Sequence, residues 1–254
     1  MKHKLLLPLL LSLSVAGMLR GQDPVPSAPQ VVPIVGHATG AGGAEFRSDL
    51  KLYNPSSVAI SGLLFFTPRN QSAAQEDEFL LFDLPPLSVL AYEDVYAQVF
   101  PGGNGAARVT IFVNGPRPMV DTSTYTATPD GGELGQSPTV FTYDDFFAAG
   151  TRLGAILGKD TERTNLFVMT GEAGATVRWR YRDSNGSAIP NIVRTYPPNA
   201  TFQFSVFDLL GFPPAANASL EAFVDAGSAR VACSPVNNIT NQGRWSDFRV
   251  LPSR

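Results

Sequence analysis

Arg178, Arg180 and Arg182 alternate with Val177, Trp179 and Tyr181 in the run VRWRYR. Successive side chains of an extended strand point to opposite faces, so the guanidinium groups share one face and the apolar residues the other. A cationic row of this kind suits an acidic glycan, a surface polymer or an acidic protein lobe. It equally suits a solvated outer face above an apolar core. Trp245, near the C-terminus, adds a ring that can stack on a sugar or cover a sheet edge. Arg178, Arg180, Arg182 and Trp245 are the candidate ligand-binding residues.

Other chemistry is thinly supplied. Once the leader described below is removed, His37 is the only histidine and Cys233 the only cysteine. A zinc site built from several His or Cys ligands is thereby excluded, and a Ser/His/Asp triad would depend on one histidine inside the Gly-rich stretch VGHATGAGG. Glu76-Asp77-Glu78, Glu93-Asp94, Asp121 and Asp144-Asp145 supply carboxylates. Glycoside hydrolysis needs two of them set roughly 5 to 10 Å apart across a cleft, whereas adjacent strand residues diverge. The chain has no DxDxDG calcium loop, no GxSxG elbow and no GxxxxGK phosphate loop. These features predict no catalytic residue, no metal and no cofactor.

The N-terminus dictates the compartment expected. Lys2, His3 and Lys4 precede an apolar run from Leu5 to Ala16, in the order of a secretory signal. The run is too short for a spanning helix, which needs about 20 apolar residues. Cleavage is expected after Ala16 or Gly21, and no later stretch reads as a membrane span. A lone cysteine forms no intramolecular disulfide, so apolar cores must hold the exported chain. Cys233, between apolar neighbours, reads as a buried, inert thiol. Charge is uneven: Gln22 to Gly150 carry 14 acids and 5 bases, whereas Thr151 to Arg254 carry 8 acids and 11 bases. A basic excess that mild predicts no nucleic-acid partner, and it favours attraction between lobes or between neighbouring molecules.

The elements that must position the candidate residues repeat. Arg47-Ser48-Asp49-Leu50 is echoed by Arg163-Thr164-Asn165-Leu166, Pro85-Pro86 by Pro197-Pro198, and Phe112-Val113-Asn114-Gly115 by Phe223-Val224-Asp225-Ala226. Tyr92, Val95 and Phe100 return as Phe204, Phe207 and Phe212. The order is kept, and the largest drift in offset falls at the polar insertion PRNQSAAQEDE of the first copy. Within each copy the period is that of strands. Those expected in copy one are Val58 to Thr67, Phe79 to Leu84, Ser88 to Tyr92, Arg108 to Val113 and Pro118 to Tyr125. Asn114-Gly115 signals a hairpin between the last two. On this reading Ser61 to Phe66 is the uncharged counterpart of Val177 to Arg182. One short helix per copy is expected, in Glu93 to Phe100 and in Ser205 to Phe212. The predicted organisation is a signal peptide (1–21), a Pro-rich linker (22–29) and two antiparallel β-sandwich copies (30–142 and 143–254).

The leader, VVPIVGHATGAGGAEFRSDLKLYNPSS, the EDVYAQVF segment and TYTATPDGGELGQSP together resemble a tandem Ig-like repeat of secreted proteins from environmental bacteria. The resemblance covers the mature chain, strongly in copy one and more weakly in copy two, where Thr170-Gly171 replaces Asn54-Pro55. It implies an all-β fold of two tandem Ig-like domains and export, and it brings no catalytic residue. The functional expectation is a secreted, non-enzymatic structural, adhesive or interaction protein of unknown partner, for which a cell-surface polymer or protein is the candidate. The alternatives are a carbohydrate-binding module and, behind it, a carboxylate-based glycoside hydrolase.

Overall fold

The computed structural model describes residues 27–252 apart from 41–42, 75–76, 129 and 160. The leader, both cleavage positions and Glu76 lie outside the described residues. Within them the backbone forms two antiparallel sheets. The first contains β1 (Gln30–Thr39), β2 (Glu45–Tyr53), β3 (Ile60–Pro68), β4 (Glu78–Leu84), β5 (Val89–Tyr92), β6 (Gly105–Asn114), β7 (Met119–Ala127), β8 (Glu133–Gln136) and β9 (Phe141–Thr142), with helix α1 (Val95–Val99) after β5. β1 joins two ladders: its first part pairs with β6, and Ala38 and Thr39 pair with β2. One ladder runs β4-β3-β6-β1, the other β5-β2-β7-β8, and Leu50 and Leu52 of β2 share a core with Leu64 and Phe66 of β3.

The second sheet contains β10 (Phe147–Ala148), β11 (Arg152–Ile156), β12 (Glu162–Arg182), β13 (Ile192–Tyr196), β14 (Thr201–Ser205), β15 (Ser219–Asn237), β16 (Ser246–Asp247) and β17 (Arg249–Val250), with α2 (Val206–Leu210) after β14. Its registers reproduce those of the first. Leu50 faces Tyr92 and Thr122; Leu166 faces Phe204 and Cys233. β1 is paired on its outer side by β9, as β11 is by β17. The long strands β12 and β15 each run through two ladders, and their pairing slips between Thr170 and Ala175. Glycine is required at that bend: Gly227 has φ +69°, and a β-carbon there would overlap the Gly174 carbonyl.

Two expectations need correction. Asn114-Gly115 does not close a hairpin, because β6 pairs with β1 and β3 whereas β7 pairs with β2 and β8. Pro116 and Pro118 follow that turn at once and lack the N–H groups a hairpin ladder would use. The counterpart of Val177–Arg182 is also shifted by one residue. Leu63 faces Phe112 as Arg178 faces Phe223, so the matching stretch is Gly62 to Thr67. The slip arises between β2 and β3, where the Asn54-Pro55-Ser56-Ser57 loop replaces the bend at Gly171–Gly174.

Both helices form, one turn long. α2 is closed by Ser205, whose hydroxyl accepts from the Asp208 N–H while the Asp208 carboxylate accepts from the Ser205 N–H. α1 has no such side-chain cap; Asp94 instead adopts φ 47° and uses its carboxylate on His37.

The two halves meet across a third apolar cluster. Val31, Ile34 and Phe141 of the first half pack against Phe167, Met169 and Ala232 of the second. Residues 166–170 are consequently buried on both faces of β12, which is why LFVM is apolar without alternation. Arg108, fully buried, crosses this boundary. Its Nη1 donates to the carbonyl of Thr170 at 2.8 Å and its Nη2 to the Tyr143 hydroxyl at 2.9 Å. Burial pulls its guanidinium below the usual arginine range, with Tyr143 opposing that shift. Asn70 fastens the β3–β4 connection to β14: its N–H donates to Thr201 O and its side chain accepts from Gln203 N–H.

Candidate functional site

The alternation in VRWRYR holds. Val177, Trp179 and Tyr181 are buried in the second core, with Phe204 and Phe248 edge-on to Trp179. Arg178, Arg180 and Arg182 lie together on the outer face of β12, half-buried. β15 supplies the carboxylates and the ring they touch, while Arg180 also donates to Asn191 Oδ1 and Arg182 to the Gly186 carbonyl. Arg178 grips Asp225 with two bonds of 2.9 and 2.8 Å, and that carboxylate holds its guanidinium further into the charged form. The guanidinium carbons of Arg178 and Arg180 lie 4.5 and 5.0 Å from the centre of the Phe223 ring.

Glu221 is the anionic centre of the cluster. Arg152, from β11, donates to it at 2.6 Å, and Arg180 and Arg182 stand at 3.7 and 3.8 Å. Arg152 also lies over Phe223 at 5.7 Å. Four guanidinium groups thus surround two carboxylates and one ring, and the face keeps a positive excess. Sequence reasoning found three of the four arginines. Arg152 was missed because it reaches the cluster from β11, a separation of 26 residues that alternation along one strand does not reveal.

Trp245 is elsewhere. It packs against Phe167 at 4.7 Å, in the cluster between the halves, and its indole N–H donates to Asp247 at 3.1 Å. The acidic candidates are distributed over separate elements. Glu93 and Asp94 precede α1, Asp121 is exposed on β7, and Asp145 accepts from the N–H and hydroxyl of Thr142. The Thr142 N–H is the main cause of an Asp145 carboxyl pKa below its ordinary value. His37 Nδ1 meets Asp94 Oδ2 at 2.6 Å, and the Asp94 N–H donates to Asp49 Oδ1 at 3.0 Å. That chain of contacts ties β1 and β2 to the start of α1. Among the described residues no serine or threonine hydroxyl bonds to His37, and no group of three or more His, Cys, Asp or Glu could hold a metal ion. Cys233 is buried in the second core, and burial pushes its thiol up to about 11.

A second concave site lies between the halves, a cleft of about 180 Å³. The first half contributes the strand surface of Ile34, Ala38 and Phe46, with Gln136 from β8 and Arg69 from the β3–β4 connection. The second contributes Arg163, Asn165 and Phe167 of β12, with Gln203 of β14. Arg69 donates to Gln203 Oε1 at 2.9 Å, and Arg163 to Asn238 and Asn241 at 3.3 and 3.2 Å. The only sequence signal bearing on this cleft is the echo of Arg47-Ser48-Asp49 in Arg163-Thr164-Asn165. Arg47 faces Tyr125 and is exposed; Arg163 faces the equivalent Val236 and is half-buried in the cleft.

No protein-family model matches this chain, and no curated protein matches its sequence. Among the described residues no helix is long and apolar enough to cross a membrane.

Proposed function

We propose that the protein is an exported, non-enzymatic binding protein of two tandem Ig-like sandwich units, and that the outer face of its second half holds an anionic cell-surface polymer. The observation that carries this reading is the convergence of Arg152, Arg178, Arg180 and Arg182 around Glu221, Asp225 and the Phe223 ring. Guanidinium groups fixed by neighbours lose little further freedom on meeting a carboxylate or sulfate, which favours recognition by a preorganised surface. The repeated ladder registers of the two halves support the tandem reading. The cationic, then apolar, then small-residue order of the leader supports export.

Co-sedimentation with an acidic polysaccharide tests the idea. Binding should weaken with added salt, and Arg178→Glu with Arg180→Glu should lower affinity at least tenfold. Unchanged binding by that double variant, or the absence of binding at low salt, would remove this face from the account.

A further inference from the structure

The cleft between the halves stands apart from the polymer face and contains positive charge of its own. Among the described residues neither Arg69 nor Arg163 makes an ion pair with a carboxylate; amide oxygens alone receive their N–H groups. The neighbouring Asn165 is half-buried, and its amide makes no side-chain hydrogen bond among the described residues. Phe46 and Phe167 also line the space, together with small and aliphatic side chains. Cationic forks, amides and apolar rings in one concavity match a ligand that is itself a ring with a carboxylate and hydroxyls.

We infer that this cleft binds a single hexuronic acid residue. The carboxylate sits between the guanidinium groups of Arg69 and Arg163, whose planar forks suit it. Asn165 and the Gln136 amide N–H, whose oxygen already accepts from the Ser234 hydroxyl, meet ring hydroxyls, and the less polar C–H surface of the sugar lies against the phenylalanines. Size limits the occupant: 180 Å³ is little more than the roughly 150 Å³ that accommodates a benzene-sized molecule. A single pyranose ring, larger than benzene, fills that space, and any longer chain must project beyond it. The site exists only where the halves meet, because each contributes one arginine.

Calorimetric titration of the purified protein with glucuronate and galacturonate, against glucose and galactose, decides the matter. At least one acid should bind, and its neutral counterpart should bind at least tenfold more weakly. Arg69→Gln and Arg163→Gln should each reduce acid affinity at least tenfold, whereas Arg117→Gln, at an exposed arginine of neither site, should leave it unchanged. Co-sedimentation of Arg69→Gln with the acidic polysaccharide reads the polymer face separately, so either site can fail without the other. Arg69 is exposed, and its replacement stays informative should Arg163→Gln fail to fold. Binding of neither acid, equal binding of the neutral sugars, or full affinity in Arg69→Gln would each overturn the inference.

Discussion

Leu63 and Arg178 occupy the same place in the two sheets, each opposite a phenylalanine of the neighbouring strand, yet the faces they form are chemical opposites. In the first half Leu63 and Phe65 sit beside Phe79, Leu81 and Phe112, of which Leu81 is 74% and Phe79 56% exposed. In the second half the same row is arginine. The inward-facing rows remain apolar in both, with Leu64 and Phe66 matched by Trp179 and Tyr181. The core side of a strand pair is thus constrained by packing, whereas the outer side is free to acquire a surface of its own.

The largest expected effect comes from the arginines that sit opposite one another in this comparison. Arg108 pairs with Thr67 on the first half's outer face, and Arg182 with Ser219 on the second's. The former is covered by the neighbouring half; the latter keeps about a quarter of its side chain exposed. Arg108→Met removes the donor to a buried carbonyl and to Tyr143, and should destabilise the fold by about 3 kcal/mol in chemical denaturation. Arg182→Met should cost less than about 1 kcal/mol, as expected of a partly exposed charge. Equal losses would mean that the halves do not bury Arg108 in solution.

A smaller difference is expected where the ladders turn over. The Asn54 amide donates to the carbonyls of Val58, Leu84 and Pro85 and accepts from Ser56. Thr170, at the same register, donates to Pro197 O at 2.6 Å and accepts from the Ala200 N–H. Asn54→Ala should cost about 2 kcal/mol and Thr170→Val about 1 kcal/mol, because more buried groups lose a partner in the first case. Thermal melts of the single variants check the order; a reversed order would show that the continuous backbone at Gly171–Gly174 needs its hydroxyl more than the loop needs its amide.

The least effect at neutral pH is expected where Cys233 replaces Thr122 opposite a leucine. The folded state holds this thiol up to about 11, above its ordinary value of 9.0. The unfolded chain therefore gives up its proton first as pH rises. The associated stability is fully present below pH 9 and falls, by about 2 kcal/mol, as the pH passes to about 11. Cys233→Ala should flatten the pH dependence across that window, and an unchanged slope would assign it to other groups.

Much of the frame was legible because it rests on alternation. Leu50, Leu52 and Asn54 face inward as their spacing demands, and the drift of the repeat is largest across the β3–β4 connection. What alternation does not carry is the partner of a strand. The Asn114-Gly115 pair has the turn chemistry of a hairpin, but the prolines after it send β7 to the other ladder. Nor does one strand reveal that its outer face is covered. Phe167 and Met169 pack on Val31 and Ile34, which lie more than 100 residues earlier. The cleft was invisible for the same reason, since its arginines come from connections and strand ends that only the packing of the halves brings together.

The unbroken passage of β12 and β15 through both ladders bears on how the second half opens. Its 21-residue and 19-residue strands hold each other from Glu162–Asn237 to Arg182–Ser219. Amide exchange in one ladder should thereby be coupled through the backbone to exchange in the other, so that the pair opens as one cooperative unit. The first half, whose ladders are joined mainly by loops, can fray at β5 or β8 while β3 and β6 stay protected.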